Sequence, residues 1–86
     1  MQYRGGETVI LGDHVELWQG ASGEVVAVIE EMQFSREYPP DEWSYLGSGL
    51  LVKSPQAGLI HFLEPDLDMR LVSRADMRPE SFPKAI

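Results

Sequence analysis

Two histidines, His14 and His61, are the side chains here best suited to proton exchange near neutral pH or to nitrogen ligation of a metal. Each has carboxylates close in sequence, Asp13 and Glu16 beside His14 and Glu64 beside His61. A divalent ion would need both imidazoles to converge, and both histidines fall in expected strands rather than in a ligand-spaced motif. Paired carboxylates occur at Glu30-Glu31, Asp41-Glu42 and Asp66-Asp68. Acid/base chemistry requires two such groups in one cleft with divergent pKa values, whereas these read as solvated turn residues. The absence of cysteine removes thiolate catalysis, disulfides and cysteine-based metal sites. Gly47-Ser48-Gly49 is too short for a phosphate cradle, and there is no nucleophile elbow or HExxH motif. No catalytic residue, metal ligand or cofactor is therefore assigned.

The aromatic residues carry more information. Phe34, Tyr38, Trp43 and Tyr45 crowd one long segment beside Pro39-Pro40, and Trp18 lies on the face of its strand opposite Val15 and Leu17. Large amphipathic rings anchor interfaces, so these residues could form a groove for a peptide, a partner strand or a second copy of the chain. They could equally fold down as a lid over the open end of a small barrel. His61 alternates with Leu59 and Leu63 and shares their face; if that face is core, His61 is an interior or interface histidine. The candidate interaction residues are Trp18, Phe34, Tyr38, Trp43, Tyr45 and His61.

The elements that position these residues are strands. Thr8–Leu11 is a short apolar run closed by the turn pair Gly12-Asp13, and His14–Trp18 alternates with period two. Gln19–Gly23 contains two glycines and reads as a tight connection. It leads into Glu24–Glu31, whose β-branched residues predict a central strand buried on both faces. Met32–Ser48 breaks the pattern and forms the long loop, with one helical turn expected over Asp41–Tyr45 behind Pro40. Gly49–Ser54 and Leu59–Glu64 flank Pro55–Gly58 as a second hairpin. Pro65–Met69 is a compact turn before a last strand, Arg70–Ser73. The expected fold is all-β, a small SH3-like barrel of about five strands with a long loop between the second and third. Residues 1–6 read as a flexible start, 7–74 as the barrel and 75–86 as an irregular tail.

Gly12-Asp13-His14-Val15, Gly20 and Gly23–Ile29 resemble a KOW-type opening, in which glycines turn between two strands of an SH3-like barrel. The likeness implies the fold; family members that bind RNA or the ribosome are basic, while this segment holds Asp13, Glu16 and Glu24 and no Lys or Arg. The layout of two hairpins is also similar to the type II dihydrofolate reductases, small barrels that assemble as tetramers around a catalytic pore. Ile60-His61-Phe62-Leu63 would stand at that family's pore-lining Val-Gln-Ile-Tyr, with His61 for the glutamine and Leu63 for the tyrosine. Leu17 would stand at its cofactor-binding lysine. What this resemblance implies is a capacity to assemble, without the catalytic surface. The chain further resembles small bacterial proteins of an uncharacterised family, which implies a bacterial origin and no particular activity.

At 86 residues the chain has room for one core, and so small a domain is often completed by self-association. Fourteen acidic against seven basic residues give a formal charge of −7, which opposes binding by phosphate neutralisation and makes nucleic acid an unlikely partner. The acidity serves solubility or presents a face to a basic protein. No apolar stretch approaches the roughly 20 residues of a membrane span, and Met1–Gly6 is polar, so the expectation is a cytoplasmic protein without membrane contact. The function expected is a non-catalytic protein-binding or self-assembly module that forms a homo-oligomer. The alternatives are a small-molecule-binding or enzymatic barrel with its site at an oligomer pore near His61, and an acidic inhibitor or immunity-like protein for a basic partner.

Overall fold

In the computed structural model, which describes residues 1–74, the valine-rich run lies at the centre of an antiparallel sheet. The strands are β1 (His14–Trp18), β2 (Ala21–Val28), β3 (Gln33–Phe34), β4 (Leu50–Ser54), β5 (Gly58–Phe62) and β6 (Arg70–Ser73), with one helical turn, α1 (Pro40–Trp43). The main order is β5-β4-β2-β1-β6. One edge of β2 is taken by β4, and the other is shared by β1 and, further along, the two-residue β3. The fold is all-β, as expected, and compatible with a small barrel. The short β3 adds a sixth strand inside the long loop. The tail at 75–86 lies outside the described residues.

A break in register between Val25 and Ala27 decides how β2 is buried. Neighbours on a strand ordinarily alternate between faces; a bulge there lets the adjacent Val26 and Ala27 share one face. Val25 and Val28 join an inner cluster with Val15, Leu17, Leu50, Val52 and Met69, while Val26, Ala27 and Ile29 form an outer cluster with Leu51. The inner cluster also receives Ile60 and Phe62 from β5 and Leu71 from β6. Those strands end the order on opposite sides, so the sheet must curl for both to reach one core.

Two expected strand segments are corrected. Thr8–Leu11 forms no strand; Thr8 makes an isolated bridge with Gln2, and Ile10–Asp13 is a turn. The cause is Asp13, whose backbone N–H donates to the Ile10 carbonyl (3.0 Å) while its Oδ2 accepts the Ile10 N–H (3.0 Å). The side chain thus takes the donor that a ladder would have used. Asp13 is fully buried, and its Oδ2 also accepts the Tyr3 hydroxyl at 2.7 Å. Tyr3, in the stretch read from sequence as a flexible start, is itself buried in the inner cluster. The second correction is at Ile29–Glu31, a 3₁₀ turn rather than the end of β2. Met32 closes it at φ 56°, and the Ile29 N–H turns to the Gly49 carbonyl at 2.8 Å.

The β4–β5 hairpin follows the sequence reading closely. The Ser54 hydroxyl accepts the N–H groups of Gln56 (3.2 Å) and Ala57 (3.1 Å), holding the loop after Pro55. Gly49 is equally determined, because it sits at φ +93° and a Cβ there would overlap the Phe62 carbonyl oxygen. Gly58, at φ +81°, has open space around the same position. Gly49→Ala should therefore cost about 3 kcal/mol and Gly58→Ala only about 1 kcal/mol, read as shifts in urea midpoint.

Burial, then the hydrogen bond to Asp13, then the Asp13 charge push the Tyr3 phenol well above its ordinary range. A raised tyrosine pKa means that the fold favours the neutral phenol, so this stability is complete below about pH 10 and is lost at higher pH. Tyr3→Phe should lower stability by about 1–3 kcal/mol at neutral pH and make the loss above about pH 10 shallower. Denaturant titrations across that range check both.

Candidate functional site

The loop aromatics divide between packing and surface. Phe34, Tyr38 and Trp43, with Leu46, cover Val26, Ala27, Ile29 and Leu51 on the outer face of the central strands. Backbone bonds seat the segment there: Ser35 N–H donates to the Val26 carbonyl (3.0 Å), and Tyr38 N–H to the Ser35 carbonyl (3.0 Å). Pro40 opens α1, and the acids Asp41 and Glu42 occupy the first turn, where the helix end favours negative charge. The helical turn brings Trp43 against Tyr38, ring centroids 5.6 Å apart and tilted by 57°. Tyr45 follows in a 3₁₀ turn (Ser44–Leu46) and is 76% exposed. Trp18, at the end of β1, is 46% exposed.

The far end of this loop is fastened to β5. His61 Nε2 donates to the Ser48 carbonyl at 2.8 Å, which places the proton on that nitrogen, since a carbonyl only accepts. Gly49 lies so close to residues 61–63 that a side chain there would meet His61 and Leu63 as well as Phe62. His61 is not interior. The face it shares with Leu59 and Leu63 is exposed, Leu63 at 69%, while Ile60 and Phe62 face the inner cluster. The physical reason is that β5 is an edge strand that covers the core with one face only. Tyr45 lies three residues before Ser48, in the segment that this bond fastens.

The two histidines are kept apart, His14 on β1 and His61 on β5, with β2 and β4 between them in the sheet. Among the described residues no three His, Asp or Glu side chains gather as a metal-holding group. His14 belongs instead to a polar row across the sheet, with Ser73, His14, Glu24, Lys53 and Leu59 in register on β6, β1, β2, β4 and β5. A shallow groove of about 610 Å³ follows that row, lined by His14, Glu24, Lys53 and three serines. Lys53 Nζ also lies 3.8 Å from Glu37. Trp18 borders a separate hollow beside the Glu16–Arg70 ion pair. Among the described residues no helix is long and apolar enough to cross a membrane.

Set against models of known protein families, curated proteins and solved structures, the chain matches none of them. The site is therefore read from its own residues. Leu59 and Leu63 were not singled out from the sequence, yet a signal was present. The run Trp43–Leu63 contains no Asp or Glu and one cation, Lys53, in a chain with 14 acidic residues.

Trp43 and Tyr45 stand two positions apart and should respond differently to truncation. Trp43→Ala opens the outer cluster and should cost about 2 kcal/mol, whereas Tyr45→Ala removes an exposed ring and should stay within about 0.5 kcal/mol. Thermal unfolding of the two variants compares them directly.

Proposed function

We propose that the chain is a non-catalytic module that works by protein contact, binding a partner or assembling with itself, on an SH3-like barrel. The strand order β5-β4-β2-β1-β6 supports that fold reading, as do the Gly12-Asp13 turn into β1 and Gly20 between β1 and β2. The single observation that carries the functional reading is the outward face of β5 and the residue after it, where Leu59, His61 and Leu63 are exposed along one side of the chain. Exposed apolar side chains scattered singly are ordinary; a row of them along one strand that itself carries no carboxylate, on a chain of net charge −7, reads as a contact surface. Trp18 extends the reading to a second exposed ring. We place the module in the cytoplasm on its cysteine-free composition.

Phe34, Tyr38 and Trp43 act in this reading from beneath, fixing the loop that carries Tyr45. The variant that tests it is Trp18→Ala combined with Tyr45→Ala and Leu63→Ser, all at exposed positions. Its unfolding midpoint should match wild type, while association with itself, or capture of a partner retained by immobilised wild type, should fall by about tenfold or more. Equal association and equal capture by the two proteins would overturn the proposal.

A further inference from the structure

Among the described residues β5 is an open sheet edge without the lysine, proline or bulge that usually protects one. Among the described residues it pairs with β4 alone, through five consecutive pairs from Leu50↔Phe62 to Ser54↔Gly58 without a register shift. Natural edge strands are guarded by lysines, prolines, bulges or brevity, because their free N–H and C=O groups template further pairing. Gly58-Leu59-Ile60-His61-Phe62-Leu63 contains no Lys, no Pro and no formally charged residue. The opposite edge differs. β6 has four residues, its pairing with β1 shifts register between His14 and Val15, and it begins with Arg70, paired to Glu16.

Resting on the protein-contact reading above, we propose that two copies of this chain associate by antiparallel pairing of β5 with β5 about a two-fold axis. Charge restricts where two copies can meet. Each copy carries −7, so most approaches between copies meet like-charge repulsion, whereas two β5 edges meet without a carboxylate in either strand. Symmetry selects the geometry. An antiparallel strand paired with its own copy closes at two, while β5 on β6 would leave both edges free to propagate. The pairing runs the sheet through both copies and places the exposed Leu59 and His61 of each on one shared face.

The test is sedimentation equilibrium of the full chain over a range of concentrations and at low and high salt, with amide hydrogen exchange read at the same concentrations. The expected result is a monomer–dimer equilibrium that tightens as salt screens the net charge, with exchange at Gly58–Phe62 slowing as concentration rises. Leu59→Lys should weaken dimerisation by about tenfold or more while leaving the circular dichroism spectrum unchanged. Because that substitution lowers the net negative charge, weaker association cannot come from general repulsion. Val72→Ser, at an exposed position on the opposite edge strand β6, should leave the dimer intact. A wild-type chain that stays monomeric throughout, or a dimer lost in Val72→Ser but kept in Leu59→Lys with β5 exchange independent of concentration, would overturn β5 pairing. In either case capture of a different protein, lost on Tyr45→Ala with Leu63→Ser, would leave the protein-contact reading standing, which separates the two failures.

Discussion

The central strand β2 is apolar toward both sides, and the rest of the structure follows from having to cover it twice. Val25 and Val28 require an interior, which β1, β4, β5 and β6 supply by curling around them with Tyr3, Val9 and Met69. Val26, Ala27 and Ile29 require a second cover on the outside, and the strands are already used. The long loop meets that need by laying Phe34, Tyr38 and Trp43 across the sheet. At roughly 25 cal/mol per Å² of apolar area removed from water, this second layer is a substantial part of what a domain this small can draw on. Aromatic crowding in the loop is thus, for three of its four rings, a consequence of the apolar outer face of the central strands.

Commitment of those rings to packing defines what remains for contact. The loop descends onto the outer face, turns through α1 and returns with Tyr45 outward and Ser48 tied to His61. Gly49 permits the return, since only a residue without Cβ fits against the Phe62 carbonyl. The exposed apolar end is therefore held in place by the same segment that seals the outer cluster. Acidic residues surround this end in sequence, ending at Glu42 and resuming at Glu64. An acidic chain in which one strand carries no charge favours solubility while leaving one edge where desolvation costs less.

Much of the fold was legible because it rests on local patterns. Alternation placed Val15 and Leu17 inside and Trp18 outside; β-branched residues marked β2; Pro and Gly marked the β4–β5 hairpin; Pro40 with two acids marked α1. The failures share a cause in contacts distant along the chain. Thr8–Leu11 has strand composition, yet the buried Asp13 carboxylate draws its backbone into a turn and reaches back to Tyr3, ten residues away. Ile29 continues an apolar run, yet Gly49 takes its N–H. His61 shares a face with two leucines, and alternation cannot say which face of an edge strand meets the core.

By itself the sequence determined an all-β chain, the position of most strands, a net charge unsuited to phosphate binding and a cluster of aromatics in one loop. Period, turn chemistry and composition are local or additive properties, and they survive without knowledge of neighbours. Only the tertiary structure decided which aromatics are spent on packing, that Leu59, His61 and Leu63 face outward, and that β5 forms an edge with no strand beyond it among the described residues. Those outcomes depend on strand order and on which face is already covered, and both are set by long-range pairing that no single segment encodes.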